Sequence, residues 1–351
     1  MKLKELRIGD LVARRPVIQG GMGVGVSLSG LAAAVAREGG IGVISAAQPG
    51  FKEPDFATNT MEANLRALRK YIKDAKAQAE GGIIGVNIMV AMNHYEDFVR
   101  CSVESGADLI ISGAGLPVDL PKYVEGSKVK IAPIVSPPKA AKVLLKMWDK
   151  HYHRTADFIV IEGPKAGGHL GYSPEEVAEY DATGYDEKIK EIMDIVSEYE
   201  EKYSHKIPVI FGGGVFDRKD IDHYMDLGCD GVQMATRFVT TYECDVDENF
   251  KKAYLEAKKE DVAIVKSPVG MPGRAIRNDF IKAREQERED IKKCYGCLKK
   301  CDMSSIPYCI TAALVRAANG DVDNALVFCG ENVWRLDRMM SVKELMEELC
   351  D

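Results

Sequence analysis

No segment of this 351-residue chain reaches the roughly 18 uninterrupted apolar residues of a membrane span. The opening Met1-Lys2-Leu3-Lys4-Glu5-Leu6-Arg7 lacks the apolar core of a signal peptide. There is no long basic run and the formal net charge is −7, so neither nucleic acid nor an anionic membrane is an expected partner. No Gly-x-x-x-x-Gly-Lys-Ser/Thr loop occurs. After the first apolar run comes Gly20-Gly21-Met22-Gly23-Val24-Gly25-Val26, where a dinucleotide fingerprint would need its third glycine at Val26. The expected compartment is the cytoplasm. There, an odd set of nine cysteines points to metal or redox chemistry before disulfides.

The chain does have apolar runs that recur along its length. They fall at 16–19, 41–45, 83–88, 109–112, 129–135, 158–162, 208–211 and 231–234. Between them lie helical patterns at 29–38, 61–79, 95–105, 139–150, 186–203 and 217–227. The runs lack strict alternation, as strands do when both faces of a parallel sheet are covered. Eight such β-then-α units predict an α/β fold, a closed (β/α)₈ TIM barrel over residues 1–280. A doubly wound open sheet is the competing architecture. Residues 281–351 form a helical, Cys-rich C-terminal extension.

Unusual residues cluster where the runs end, as a barrel requires. After Phe158-Ile159-Val160-Ile161 comes Glu162-Gly163-Pro164-Lys165-Ala166-Gly167-Gly168-His169. Gly167 and Gly168 let backbone approach something closely, and His169 is placed there as a proton-transfer group beside a flat cofactor. Asn87, within Gly85-Val86-Asn87-Ile88, is a polar residue in an apolar run whose partners a ligand could supply. Gly212-Gly213-Gly214 and Ala235-Thr236 follow the seventh and eighth runs, where barrels commonly hold a phosphate. Free backbone N–H groups and the start of the helix near Asp217 would form the cradle. A single terminal phosphate is the simpler occupant, and flavin mononucleotide (FMN) fits.

Six segments in this order give a family resemblance: 16–23, 85–88, 112–117, 166–171, 208–214 and 231–238. Over residues 10–280 the chain resembles the flavin-dependent nitronate monooxygenases, relatives of the type II enoyl-acyl-carrier-protein reductases. The resemblance implies that Gly21, Met22 and Gly23 lie along the flavin ring and that Asn87 and Gln233 reach its polar edge. It implies that Gly213, Gly214, Ala235 and Thr236 hold the phosphate and that His169 is catalytic. Segment 272–278 is similar to one that closes over the site. Lys165 stands where the family often has an acid. Ala235 stands where glycine is usual, which matters only if that position needs a positive φ.

The expected activity is oxidation of alkyl nitronates with O2, with His169 as base or as positive partner for the nitronate oxygens. At an ordinary pKa of about 6.5 it could serve either role. The alternative is an NAD(P)H-dependent enoyl thioester reductase, in which His169 protonates Cα. A non-enzymatic barrel that binds a phosphate ligand and senses redox state is the third reading. In the tail, Cys294, Cys297, Cys301 and Cys309 lie among lysines, which suits thiolates ligating zinc or an iron–sulfur cluster, with a reactive or redox thiol set and a structural Cys-containing helical turn as the competing readings. Segments 333–336 and 342–349 should be helices packed on the barrel or on a partner subunit of a homo-oligomer. Within them Trp334 is expected to be a packing residue, and the charged stretch 282–293 a solvated helix face.

Overall fold

The computed structural model describes residues 3–351; Met1 and Lys2, at the edge of the expected barrel domain, lie outside the described residues. Eight strands form a closed parallel barrel: Val17–Gln19, Ile41–Ser45, Ile83–Met89, Leu109–Gly113, Lys130–Val135, Ile159–Glu162, Val209–Gly212 and Gly231–Met234. The eighth pairs with the first through Val232↔Val17 and Gln233↔Ile18, which closes the ring and rules out the open sheet. Strand side chains alternate between two apolar environments. Ile18, Val43, Ile111, Phe158, Val160 and Ile210 fill the interior, while Ile44, Ile110, Ile159, Ile161 and Val232 face the surrounding helices. Both faces are dry, so the runs read as continuously apolar.

A hairpin, Leu6–Ile8 with Leu11–Ala13, adds Leu6, Ile8 and Ala13 to the interior cluster. Asp10 at its turn pairs with Lys130 at 2.6 Å. The hairpin plugs the end of the barrel where the strands begin, and the opposite end is left for a ligand.

Three features departed from the sequence reading. Helix Pro174–Thr183 was not anticipated, because Val177 is its one buried residue and it carries almost no apolar period. Its start is nonetheless written in Ser173 and Glu176, which form a reciprocal capping box. The charged stretch is helical only over Asp279–Gln286. Trp334, expected to pack, is 40% exposed and lies under the Lys259 ammonium at 5.7 Å.

The C-terminal segment shares the core of the barrel. Val327, Val333, Leu345, Met346 and Leu349 belong to the same buried cluster as the helices around the strands. The last helix, Val342–Cys350, packs on helix Ser29–Arg37, and Asp351 pairs with Arg15 at 2.6 Å. Among the described residues no helix is long and apolar enough to cross a membrane.

Candidate functional site

At the C-terminal ends of the strands lies one cavity of about 410 Å³, within the range that holds a small molecule. Gly21, Met22, Gly23, Asn87, Gly167, Gly168, His169, Gly213, Gly214, Gln233, Ala235 and Thr236 all line it. Residues singled out across five strand ends thus converge on one space.

Two stretches of backbone are shaped for an anion. Gly213 and Gly214 have φ of +115° and +85°, a region L-residues rarely adopt. The N–H groups of Gly213, Gly214, Ala235 and Thr236 donate to no backbone acceptor among the described residues. Ala235 has φ −129°, so it needs no glycine and the cradle is intact. The expected help from the helix near Asp217 does not materialise. The Asp217 carboxylate itself takes Lys219 N–H at 3.0 Å and Asp220 N–H at 3.2 Å, and it pairs with Arg335 at 2.7 Å. That helix start is already neutralised.

Nearer the centre, the buried Gln233 Oε1 has no hydrogen-bond partner. An orphaned acceptor is costly unless a ligand donor meets it. Asn87 is half-buried rather than buried and opens on the cavity. A Cβ on Gly21 would come within 2.4 Å of Asn87 Cβ, so glycine there lets the first and third strand ends close up.

The histidine loop is held by a second, small sheet. Gly168–His169 pairs with Pro272–Ile276, which pairs with Val262–Lys266. Arg274, only 2% exposed, donates to Pro164 O at 2.8 Å and Ala166 O at 2.5 Å, and its Nε meets Glu331 at 2.8 Å. Removing this side chain strands two carbonyls and a carboxylate together. Arg274→Ala should therefore lose about 3–5 kcal/mol of unfolding free energy, measured by urea denaturation. Arg274→Lys should recover little, since a single ammonium cannot replace the fork.

His169 Nε2 lies 2.8 Å from Ser267 Oγ, and the ring stands edge-on to Phe328. Burial lowers its pKa to about 4, so at neutral pH the imidazole is uncharged. Of the two expected roles, this favours the neutral imidazole over the positive partner. Glu162, at the end of the sixth strand, also lines the cavity. Burial lifts its carboxyl to about 7, against hydrogen bonds from Gly171 N–H at 3.2 Å and Ser136 Oγ at 3.3 Å. Glu162 was readable as an acid ending an apolar strand, and the sequence reading passed over it. Ser267 left no local signal.

The expected metal site is not assembled. Among the described residues no group of three or more His, Cys, Asp or Glu side chains could hold a metal ion. Cys294 is exposed and accepts Gly296 N–H at 3.3 Å. Cys297 and Cys301 pack half-buried against an apolar cluster with Leu298, Tyr308 and Ile310. Cys309 is buried at the cap of helix Ile310–Ala318. Burial, and then the nearness of the other thiols, push the Cys297 thiol up to about 11 and raise Cys301 and Cys309 as well.

A profile of the family described as nitronate monooxygenase matches residues 5–351. The chain belongs to the nitronate monooxygenase family. The match runs past residue 280, so the C-terminal segment is part of the family's extent. A probable nitronate monooxygenase of Staphylococcus saprophyticus is 22% identical over 319 residues, 83% of each chain. One of Staphylococcus aureus strain Newman is 27% identical over 292 residues, 79% of each. Among solved structures, FabK from Thermotoga maritima superposes with TM-score 0.71 at 24% identity, covering 95% of this chain and 91% of that one. Nitroalkane oxidase from Streptomyces ansochromogenes gives 0.70 at 19%, covering 95% and 94%. Both share the barrel fold of this family member. In it, Phe328, Gly330, Glu331 and Asn332 of the C-terminal segment complete the cavity wall. Gly330 N–H donates to Thr236 Oγ1 at 3.2 Å, and Asn332 Nδ2 to Gly214 O at 2.7 Å.

Proposed function

We propose that this oxidoreductase uses FMN to oxidise alkyl nitronates at the expense of O2. The observation that carries the reading is the pairing, in one cavity, of backbone N–H groups that meet no backbone acceptor with the orphaned Gln233 Oε1. Together they ask for a ligand with an anionic tail and a donor on a flat head. Bound flavin supplies the electron chemistry, oxidation of the organic substrate and reduction of O2.

The chain does the rest. Gly213, Gly214, Ala235 and Thr236 hold the phosphate through backbone N–H groups. Gln233 accepts from the ring's polar edge, and Asn87 flanks it. Gly21 and Gly23 leave space for a planar group, with Met22 beside them. His169, neutral at pH 7, offers a hydrogen bond without charge. A nitronate is already deprotonated and needs no base. Lys165 lines the mouth and puts a cation where the resemblance expects an acid, which suits an anionic substrate.

Proton donation by the same neutral imidazole favours a second reading, an enoyl thioester reductase driven by NAD(P)H. Purified protein supplied with FMN should bind it, then consume O2 with propionate-3-nitronate faster than it oxidises NADH or NADPH with crotonyl thioester. The opposite ratio selects the reductase. Failure to bind FMN leaves only the non-enzymatic, phosphate-ligand barrel.

A further inference from the structure

The imidazole of His169 is gripped from one side. Its Nε2 meets Ser267 Oγ at 2.8 Å, whereas no described residue bonds Nδ1, and His169 lines the cavity. Ser267 is 3% exposed and sits in the connection between strands Val262–Lys266 and Pro272–Ile276. Its carbonyl takes Gly270 N–H, and its hydroxyl oxygen takes Val269 N–H at 3.3 Å.

A serine hydroxyl has one proton to give and two lone pairs to offer. One lone pair is used by Val269. Among the described residues the acceptor placed for the proton is His169 Nε2. If Nε2 instead carried the hydrogen, the hydroxyl would accept twice and its own proton would be buried without an acceptor. That arrangement carries the full desolvation cost of an unmet donor.

We infer that Ser267 is a positioning residue that fixes His169 in the Nδ1–H tautomer, so that the cavity meets an N–H donor rather than a lone pair. This rests on the reading of His169 as the proton-handling residue of the flavin site and deepens it. An oxygen of a nitronate, or of a thioester carbonyl, can accept from Nδ1–H. A neutral carbon acid finds no lone pair on the ring and is a poor substrate. Phe328, edge-on to the ring with centroids 4.9 Å apart, limits rotation that would exchange the two nitrogens.

The test is ¹⁵N spectroscopy of the histidine side chains at pH 7, on full-length protein with and without added FMN. His169→Asn assigns the signal. The wild type should show a protonated Nδ1 and an unprotonated Nε2. Ser267→Ala should switch the majority form to Nε2–H, and Ser267→Thr, which keeps the hydroxyl, should restore Nδ1–H. Nε2–H in the wild type overturns the inference, as does a Ser267→Ala protein with an unchanged tautomer. The two readings fail separately. Protein that takes up no FMN yet shows the Ser267-dependent Nδ1–H tautomer loses the flavin reading and keeps this one. FMN binding with the wrong tautomer does the reverse.

Discussion

Gly213→Val should bind FMN about 100-fold more weakly than the wild type, while its affinity for riboflavin changes little. The position has φ +115°, and an added Cβ would come 2.8 Å from Gly163 O and 3.1 Å from Ala166 N. Both are backbone atoms of the loop that carries the histidine, so neither can swing aside. The peptide must rotate instead, and the N–H groups of Gly213 and Gly214 leave the anion. Losing two hydrogen bonds to a charged group, at about 1.5 kcal/mol or more each, gives about two powers of ten in affinity. Riboflavin has no phosphate and does not use that cradle. Gly81→Ala is the control: φ there is +84°, with nothing within 4 Å of the added Cβ, so it carries the backbone strain away from the cavity. Titration of flavin fluorescence measures all three. Equal losses for FMN and riboflavin would place the phosphate elsewhere.

The barrel was legible because its signal is local. Ile159, Val160 and Ile161 are buried whichever face they take, so the strand shows as an unbroken apolar run whatever its neighbours are. The glycine positions were legible for a related reason. A loop that bends the chain away from a strand end needs a positive φ or has no room for a Cβ, and Gly213-Gly214 and Gly167-Gly168 advertise this in the sequence. Long-range partners were not legible. Ser267 reaches His169 across 98 residues, through a sheet whose shortest member is the pair Gly168–His169. Two residues carry no period. The cysteine spacing found no support as a metal site: the four thiols lie near enough to raise one another's pKa, but among the described residues they form no group that could hold an ion. Here Cys294 faces out while Cys297 and Cys301 lie against apolar side chains. Asp217 shows the same limit at one helix, since a capping aspartate reads as a helix start and hides that the N–H groups are already taken.

The pH dependence of nitronate turnover should be governed by Glu162 rather than by His169. His169, lowered to about 4 by burial, stays neutral across the working range and contributes no limb near its ordinary value. Glu162, raised to about 7, ionises within that range and puts a negative charge into the cavity. An anionic nitronate is then repelled, so kcat/KM should fall as pH rises through about 7. In Glu162→Gln this limb should vanish and the activity stay flat into the alkaline range. His169→Asn, which removes the imidazole N–H that meets the nitronate oxygens, should lower the rate about 10²–10³-fold and keep the limb at the same pH. Stability follows the same two groups with opposite signs. The folded-state pKa of Glu162 lies above its ordinary 4.5, so its contribution is complete below pH 4.5 and is lost as pH rises through 7. That of His169 lies below 6.5, so its contribution is complete above 6.5 and is lost as pH falls through 4. Glu162→Gln should accordingly gain stability relative to the wild type as pH rises from 4.5 to 7, a gain complete by the second of two urea melts, at pH 5 and pH 8.5. A limb that survives Glu162→Gln but moves in a His169 variant would transfer the titration to the imidazole. It would also mean that the imidazole is more solvated than its place against Phe328 and Ser267 implies.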